Sequence, residues 1–260
     1  MPTALITGAS SGLGEQFAYA LGGEKYDLVL TARREERLRA VADQARANGA
    51  GKVEIIVADL AQRGTAEGIF RRLEIAQIPV DYLVNNAGFG TNGRFDRMPL
   101  ERELEEIDLN VSALIALTRL FLPAMVVRNR GTIINVASTA AFQAIPYMAT
   151  YAATKAFVLS FTEGIAGELA GTGVKILAFC PGPVRTEFQS VAKNEKAYVP
   201  SFVYEDAKTV VARAIAAAAS GRTVFISGGL NFTMAQLTRI APRALISRVA
   251  RRIYRPADGA

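Results

Sequence analysis

The chain has 260 residues, half hydrophobic and a fifth charged, an ordinary composition for one α/β domain with a large core. It contains no histidine and one cysteine, Cys180, which excludes histidine acid–base chemistry, Ser-His-Asp triads and internal disulfides; no metal site is expected, and the lone thiol fits a reducing, cytoplasmic setting. Most of the net charge of +6 lies after residue 229, where six arginines accompany a single acid, Asp258, so the nearly neutral remainder gives no argument for a nucleic-acid partner.

Residues 1–7 run straight into a glycine motif and read as a core strand rather than a signal segment. No apolar run is expected to reach the roughly 18 residues of a membrane span. Short apolar runs at 4–7, 27–31, 53–57, 82–84, 132–136, 175–179 and 224–226 read as buried parallel strands. Helical patterns lie between them, at about 13–22, 34–48, 65–76, 100–127, 152–170 and 205–219. The alternation predicts βαβ crossovers and a Rossmann-type, doubly wound, seven-stranded parallel sheet with helices on both faces. Residues 1–229 read as one domain, and 230–260 as its basic amphipathic helical extension.

Gly8, Gly12 and Gly14, in Thr7-Gly8-Ala9-Ser10-Ser11-Gly12-Leu13-Gly14, stand between the first strand and the first helix. Glycine lets backbone approach a pyrophosphate, and the helix N-terminus offers free N–H groups to it. At the end of the second strand an acid would bind the adenosine ribose of NAD, but this chain has Thr31-Ala32-Arg33-Arg34. Guanidiniums suit a phosphate, so NADP(H) is predicted, with Arg33 the first contact and Arg34 the second. Asp59-Leu60 ends the third strand; Asp59 could meet the adenine amino group or cap a helix. Asn85-Asn86-Ala87-Gly88 ends the fourth strand, on the ligand side of such a sheet. Asn110 reads as a polar residue inside the long helix 100–127.

Tyr151-Ala-Ala-Thr-Lys155 places a phenol and an ammonium on one helix face, with Ser138 thirteen residues upstream. The cation is expected to bring the phenol's proton exchange below its free value of about 10. Ser138 could hold a carbonyl oxygen beside them. Cys180 reads as a small buried residue.

With these residues in place the chain resembles the short-chain dehydrogenase/reductase family. The resemblance is carried by the glycine motif, Asn85-Asn86-Ala87-Gly88, Asn110, Ser138, Tyr151-x-x-x-Lys155 and Pro181-Gly182-x-Val184-x-Thr186, over about residues 3–228. It implies a nicotinamide cofactor held along Gly8, Ser10, Ser11, Gly12, Leu13 and Gly14, by Asn86, Ala87 and Gly88, and by Pro181, Gly182, Val184 and Thr186. It also implies a Ser138-Tyr151-Lys155-Asn110 active site. There Tyr151 exchanges the proton, Lys155 lowers its pKa and bridges the ribose, and Asn110 holds a relay water. Segments expected over the nicotinamide are apolar, with Phe89, Ala140, Phe142, Tyr147, Phe188 and Phe202 beside Ser138 and Tyr151, and 187–204 as a lid. An apolar pocket suits a lipophilic ketone. Arg94 and Gln143 are candidate polar contacts there.

In the extension, Met234, Leu237, Ile240, Leu245, Ile246, Val249 and Ile253 recur at helical spacing among arginines. Thr233-x-x-Gln236 resembles a capping box, and Pro242 should divide the run into two helices. Such an element packs on its own domain or a second subunit, or docks on a membrane surface or an acidic carrier protein. The expected assembly is a homodimer or homotetramer. The functional readings are an oxidoreductase acting as an NADPH-dependent ketoreductase or carbonyl reductase, a 3-oxoacyl thioester reductase, or a non-catalytic NADP(H)-binding regulator.

Overall fold

In a parallel sheet covered on both faces every strand must be apolar on both sides, and the first strand shows how this is met. Thr3–Thr7 (β1) is buried throughout; Ala4 and Ile6 face one layer of helices and Leu5 the other. The structure, a computed structural model, describes residues 1–188 and 204–255. The other strands are Asp27–Ala32 (β2), Val53–Val57 (β3), Tyr82–Asn85 (β4), Gly131–Val136 (β5), Val174–Cys180 (β6) and Val224–Ile226 (β7). All pair in parallel in the order β3-β2-β1-β4-β5-β6-β7.

Helices Gly12–Gly23 (α1) and Glu35–Ala47 (α2) cover one face, through Phe17, Leu21, Leu38 and Val41. Thr65–Ile75 (α3) covers the other through Ile69 and Leu73. Leu100–Ile107 (α4) and Ala113–Val127 (α5) are joined by a π-helical turn, Asp108–Ser112, which carries Asn110. The single helix expected over 100–127 is therefore continuous but widened at Asn110. By length and composition this span could cross a membrane, contrary to the sequence expectation. Its Leu117, Phe121 and Met125 are instead packed against the sheet, as in a core helix. Ala149–Glu168 (α6) begins three residues before its expected start. Ala207–Ala219 (α7) is capped by Asp206, whose carboxylate accepts from Thr209 N at 2.9 Å, and packs beside α1 through Val210, Val211 and Ala214.

After β7 come Gly229–Ile240 (α8) and Arg243–Ile253 (α9), divided at Pro242 as the sequence predicts. Thr233 caps nothing: α8 starts earlier, at Gly229, and Thr233 Oγ1 donates back to Gly229 O at 3.0 Å. The pair returns to the domain through buried Ala235 and Ala250, and Asn92 Nδ2 donates to Tyr254 O at 3.2 Å. Leu230, Phe232, Met234, Leu237, Ile240, Leu245 and Val249 stay exposed.

The order of strands reverses between β1 and β4, and their carboxyl ends part to open a crevice. Gly14 lets α1 enter it closely, since a Cβ there would lie 2.3 Å from Gly8 O and 2.6 Å from Asn86 Nδ2. Gly14→Ala would gain about 1 kcal/mol of helix propensity but force α1 outward. A net loss of about 1–3 kcal/mol is expected, read as a lower urea midpoint. An unchanged midpoint would show that α1 shifts freely.

Candidate active site

The crevice is a cavity of about 420 Å³, and its walls follow the chain's motifs. Gly8, Ser10, Ser11, Gly12 and Leu13 form one end, with Arg33, Arg34, Asp59 and Leu60. Asn86, Ala87, Gly88, Phe89, Pro181, Gly182, Val184 and Thr186 line the middle. Ser138, Ala140, Tyr151, Lys155 and Phe188 close the far end, with Gln143, Ile145, Met148, Tyr204 and Tyr254.

The first end fits an anionic dinucleotide. Gly8 has φ +63°, and a Cβ on it would lie 2.9 Å from both Ala87 Cα and Asn86 Nδ2, so a side chain would collide with the β4 end. Thr7 Oγ1 accepts from Asn86 N and Ala87 N, each at 2.9 Å, and Asn86 Nδ2 donates to Thr7 O at 2.9 Å. These bonds fix the turn and aim the N-terminus of α1 into the crevice. Arg34 Nη2 donates to Ser11 Oγ at 2.8 Å and Ser10 Oγ at 3.3 Å, and Nη1 to Glu187 Oε2 at 2.8 Å. Hydrogen bonding from Arg34 holds the Glu187 carboxyl below its ordinary range. Arg33 makes looser ion pairs with Glu105 at 3.6 Å and Asp59 at 3.9 Å. Asp59 Oδ1 accepts from Ala61 N at 3.1 Å, capping a turn well ahead of α3.

At the far end Tyr151 and Lys155 share one face of α6, and only 8% and 5% of them is exposed. Ser138 lines the same end of the cavity as the phenol, and its Oγ accepts from Ala140 N at 3.1 Å. Lys155 Nζ donates to Val136 O at 2.8 Å and lies 5.8 Å from the Tyr151 ring centroid. Burial raises the phenol above its ordinary pKa, Ser138 opposes this, and the Glu106 charge reinforces it. Burial lowers Lys155 to about 8. The expectation that the cation would bring the phenol toward neutrality is corrected here. Desolvation wins because Lys155 is turned to a backbone carbonyl, and the phenol keeps its proton. The same desolvation pushes buried Cys180 up to about 12, an inert thiol.

Asn110 lies behind the wall. Its Nδ2 donates to Phe89 O at 2.8 Å and Thr154 Oγ1 at 3.1 Å, and its Oδ1 accepts from Phe89 N at 3.1 Å. Both amide hydrogens are thereby taken, and the amide braces Phe89. Gly14 is likewise off the cavity, serving helix packing. Phe142 points away and packs with the cluster of Leu114, Ala137, Val158 and Cys180. Tyr147 has φ +69°, which turns it into a separate small cleft with Phe95 and Met98. These two do not line the expected substrate wall. Arg94 is held by Asp96 at 3.0 Å, outside the cavity. Phe202 lies outside the described residues. Tyr254 and Glu187 reach the site without having been singled out; each depends on a contact across more than 150 residues.

A family model for short chain dehydrogenase matches residues 2–197. A short chain dehydrogenase of Pseudocercospora fijiensis is 38% identical over 71% of this chain, which spans 60% of that relative's length. A ketoacyl reductase, HetN, of a Nostoc species is 32% identical over 92% of this chain and 82% of its own. Among solved structures, a short-chain dehydrogenase from Sphingobium yanoikuyae in complex with NADPH superposes with a TM-score of 0.82. It is 31% identical and covers 100% of this chain and 99% of its own. A parallel sheet in this order, a glycine turn at its switch point and a matching family model over most of the length agree: the chain belongs to the short-chain dehydrogenase/reductase family.

Proposed function

We propose that this protein is an NADPH-dependent ketoreductase, moving a hydride reversibly between nicotinamide and a lipophilic ketone or secondary alcohol. The observation that carries this reading is that Ser138, Tyr151 and Lys155 line one end of a cavity whose other end is glycine turn and arginine. NADPH in the Sphingobium relative supports the cofactor. The glycine turn would hold the cofactor's pyrophosphate and Arg33 and Arg34 its 2′-phosphate, and the bound cofactor would supply the hydride.

The chain's own residues do the rest. Ser138 donates to the carbonyl oxygen and stabilises its growing charge. Tyr151, which holds its proton in this dry wall, donates it to that oxygen; in oxidation the proton returns. Lys155, as an ammonium, stabilises the phenolate left behind. Asn110 fixes Phe89 against the cavity. Phe89, Ala140, Ile145, Met148, Phe188, Tyr204 and Tyr254 give an apolar wall around Gln143, which suits a lipophilic carbonyl. The name of the Nostoc relative favours a second reading on the same machinery, reduction of a 3-oxoacyl thioester.

We place the protein in the cytoplasm as a homodimer or homotetramer. Outward-facing Leu100, Leu104 and Ile107 on α4 support self-association. The tail supports peripheral contact with an anionic membrane surface: its exposed apolar residues alternate with exposed Arg243, Arg248, Arg251 and Arg252.

Four measurements test this reading. NADPH consumption should rise along a series of ketones from small and polar to large and apolar. Tyr151→Phe should lower turnover by about 10²-fold or more and keep NADPH binding. Retained turnover would refute the mechanism, and NADPH binding without turnover on any carbonyl would point to a regulator. Arg34→Ala, and Arg33→Ala beside it, should raise the NADPH KM by about tenfold and leave NADH little changed. Equal use of both cofactors by the native chain would remove the phosphate site. Native protein should cosediment with anionic but not neutral vesicles, and Arg248→Glu with Arg252→Glu should abolish this. No binding to anionic vesicles would leave the tail as an assembly element.

A further inference from the structure

Helix α4 is built inside out. Its apolar Leu100, Leu104 and Ile107 are 64%, 50% and 40% exposed, while Glu103 and Glu106 are 6% and 0% exposed. Buried carboxyls are tolerated only when paired, hydrogen-bonded or neutral.

A proton count decides which applies. Thr91 Oγ1 lies 2.8 Å from Glu103 Oε1 and 2.9 Å from Glu106 Oε2. One hydroxyl carries one hydrogen and can serve only one of these oxygens. The second contact is attractive only when a carboxyl brings its own proton. Thr150 Oγ1 donates to the other oxygen of Glu103, whereas Glu106 Oε1 has no hydrogen-bond partner among the described residues. Glu103 is thus the better-served anion. Glu106 holds the proton and gives it to Thr91, which gives its own to Glu103. Burial pushes Glu106 up to about 7, in the same sense.

Thr150 is in α6, so its bond to Glu103 sets this pair against the helix that carries Tyr151 and Lys155, and the Glu106 charge raises the pKa of both. Cys180 acts on Lys155 more weakly, from β6, and neighbouring Arg102 is engaged by Glu105 at 2.6 Å. The hydrogen bond of Lys155 goes to a neutral carbonyl, Val136 O. A buried ammonium so placed loses its proton easily unless an anion lies near. We propose that Glu106 is a positioning residue for the reaction: it shares a proton with Glu103 through Thr91, releases it to solvent as pH rises, and then holds Lys155 in its ammonium form. This rests on the ketoreductase reading of the same site.

Glu106→Gln keeps the shape and still donates to Thr91, but cannot ionise. NADPH affinity, read by fluorescence titration, should stay within about twofold, because Glu106 lies outside the cavity. The alkaline limb of kcat in ketone reduction should move about one pH unit lower, with the acidic side unchanged. Glu106→Asp should return it toward the native position. A uniform fall in kcat with the limb unmoved would be the mark of lost packing and would overturn the proposal.

Two readouts do not need turnover. The native chain should show an infrared carboxylic-acid band that titrates near pH 7 and is missing from Glu106→Gln; a band shared by both, or absent from the native chain, would overturn the assignment. An acid whose folded pKa is raised contributes stability below its unfolded value of 4.5 that is lost as pH passes about 7. The thermal midpoint should therefore fall more between pH 5 and pH 8 in the native chain than in Glu106→Gln; equal falls would count against it. Should the native chain turn over no carbonyl, the ketoreductase reading fails, and these two titrations decide the proton on Glu106 by themselves.

Discussion

Thr7 Oγ1 holds the seam on which the site is built. It donates to Val84 O at 3.2 Å and accepts from the two backbone N–H groups that follow β4. At this seam the order of strands reverses, so the helices after β1 and β4 lie on opposite faces and the chain ends part. Were the hydroxyl lost, Ala87 N would lose its acceptor beside the glycine turn, while Asn86 N would keep only Val84 O at 3.1 Å. Behind the seam, Asn85 Nδ2 donates to Thr118 Oγ1 and Asn135 Oδ1, and Asn135 Nδ2 to Thr162 Oγ1, carrying the polar link across β4 and β5 to α5 and α6. The crevice floor is therefore rigid where a cofactor and a carbonyl would meet.

Dryness is the second constraint. Tyr151, Lys155 and Cys180 are all shifted toward their neutral forms by burial. A phenol that keeps its proton is an acid ready for reduction, whereas an ammonium that loses its proton is a weaker partner. The opposing charge of Glu106 bears on this balance from behind the wall, at a distance from the reacting atoms.

The sheet was legible because its rules are local. Apolar runs of strand length, the glycine turn and the absence of an acid after β2 need no distant contact to be read, and Ser138, Tyr151 and Lys155 do meet in one cavity. What was missed depends on long contacts or on a broken local rule. Periodicity on α4 points Leu100, Leu104 and Ile107 inward, yet tertiary packing turns them out and brings Glu103 and Glu106 in. The widened turn at Asn110 leaves no signature in a helical pattern. Tyr147 was expected in the pocket, but its left-handed backbone sends it elsewhere. Tyr254 comes from a tail that reads only as amphipathic, and its place at the cavity follows from a bond to Asn92.

Glu187 joins the two ends of the crevice. Its carboxylate is bound to Arg34 and lies 3.6 Å from Arg37, and the next residue, Phe188, stacks obliquely on Tyr151 with ring centroids 5.2 Å apart. Any phosphate that takes Arg34 would compete with Glu187 for the same guanidinium, one residue from the ring that packs on Tyr151. An anion at the arginine end would thus release Glu187, and the two ends of the crevice are joined through one short stretch of chain.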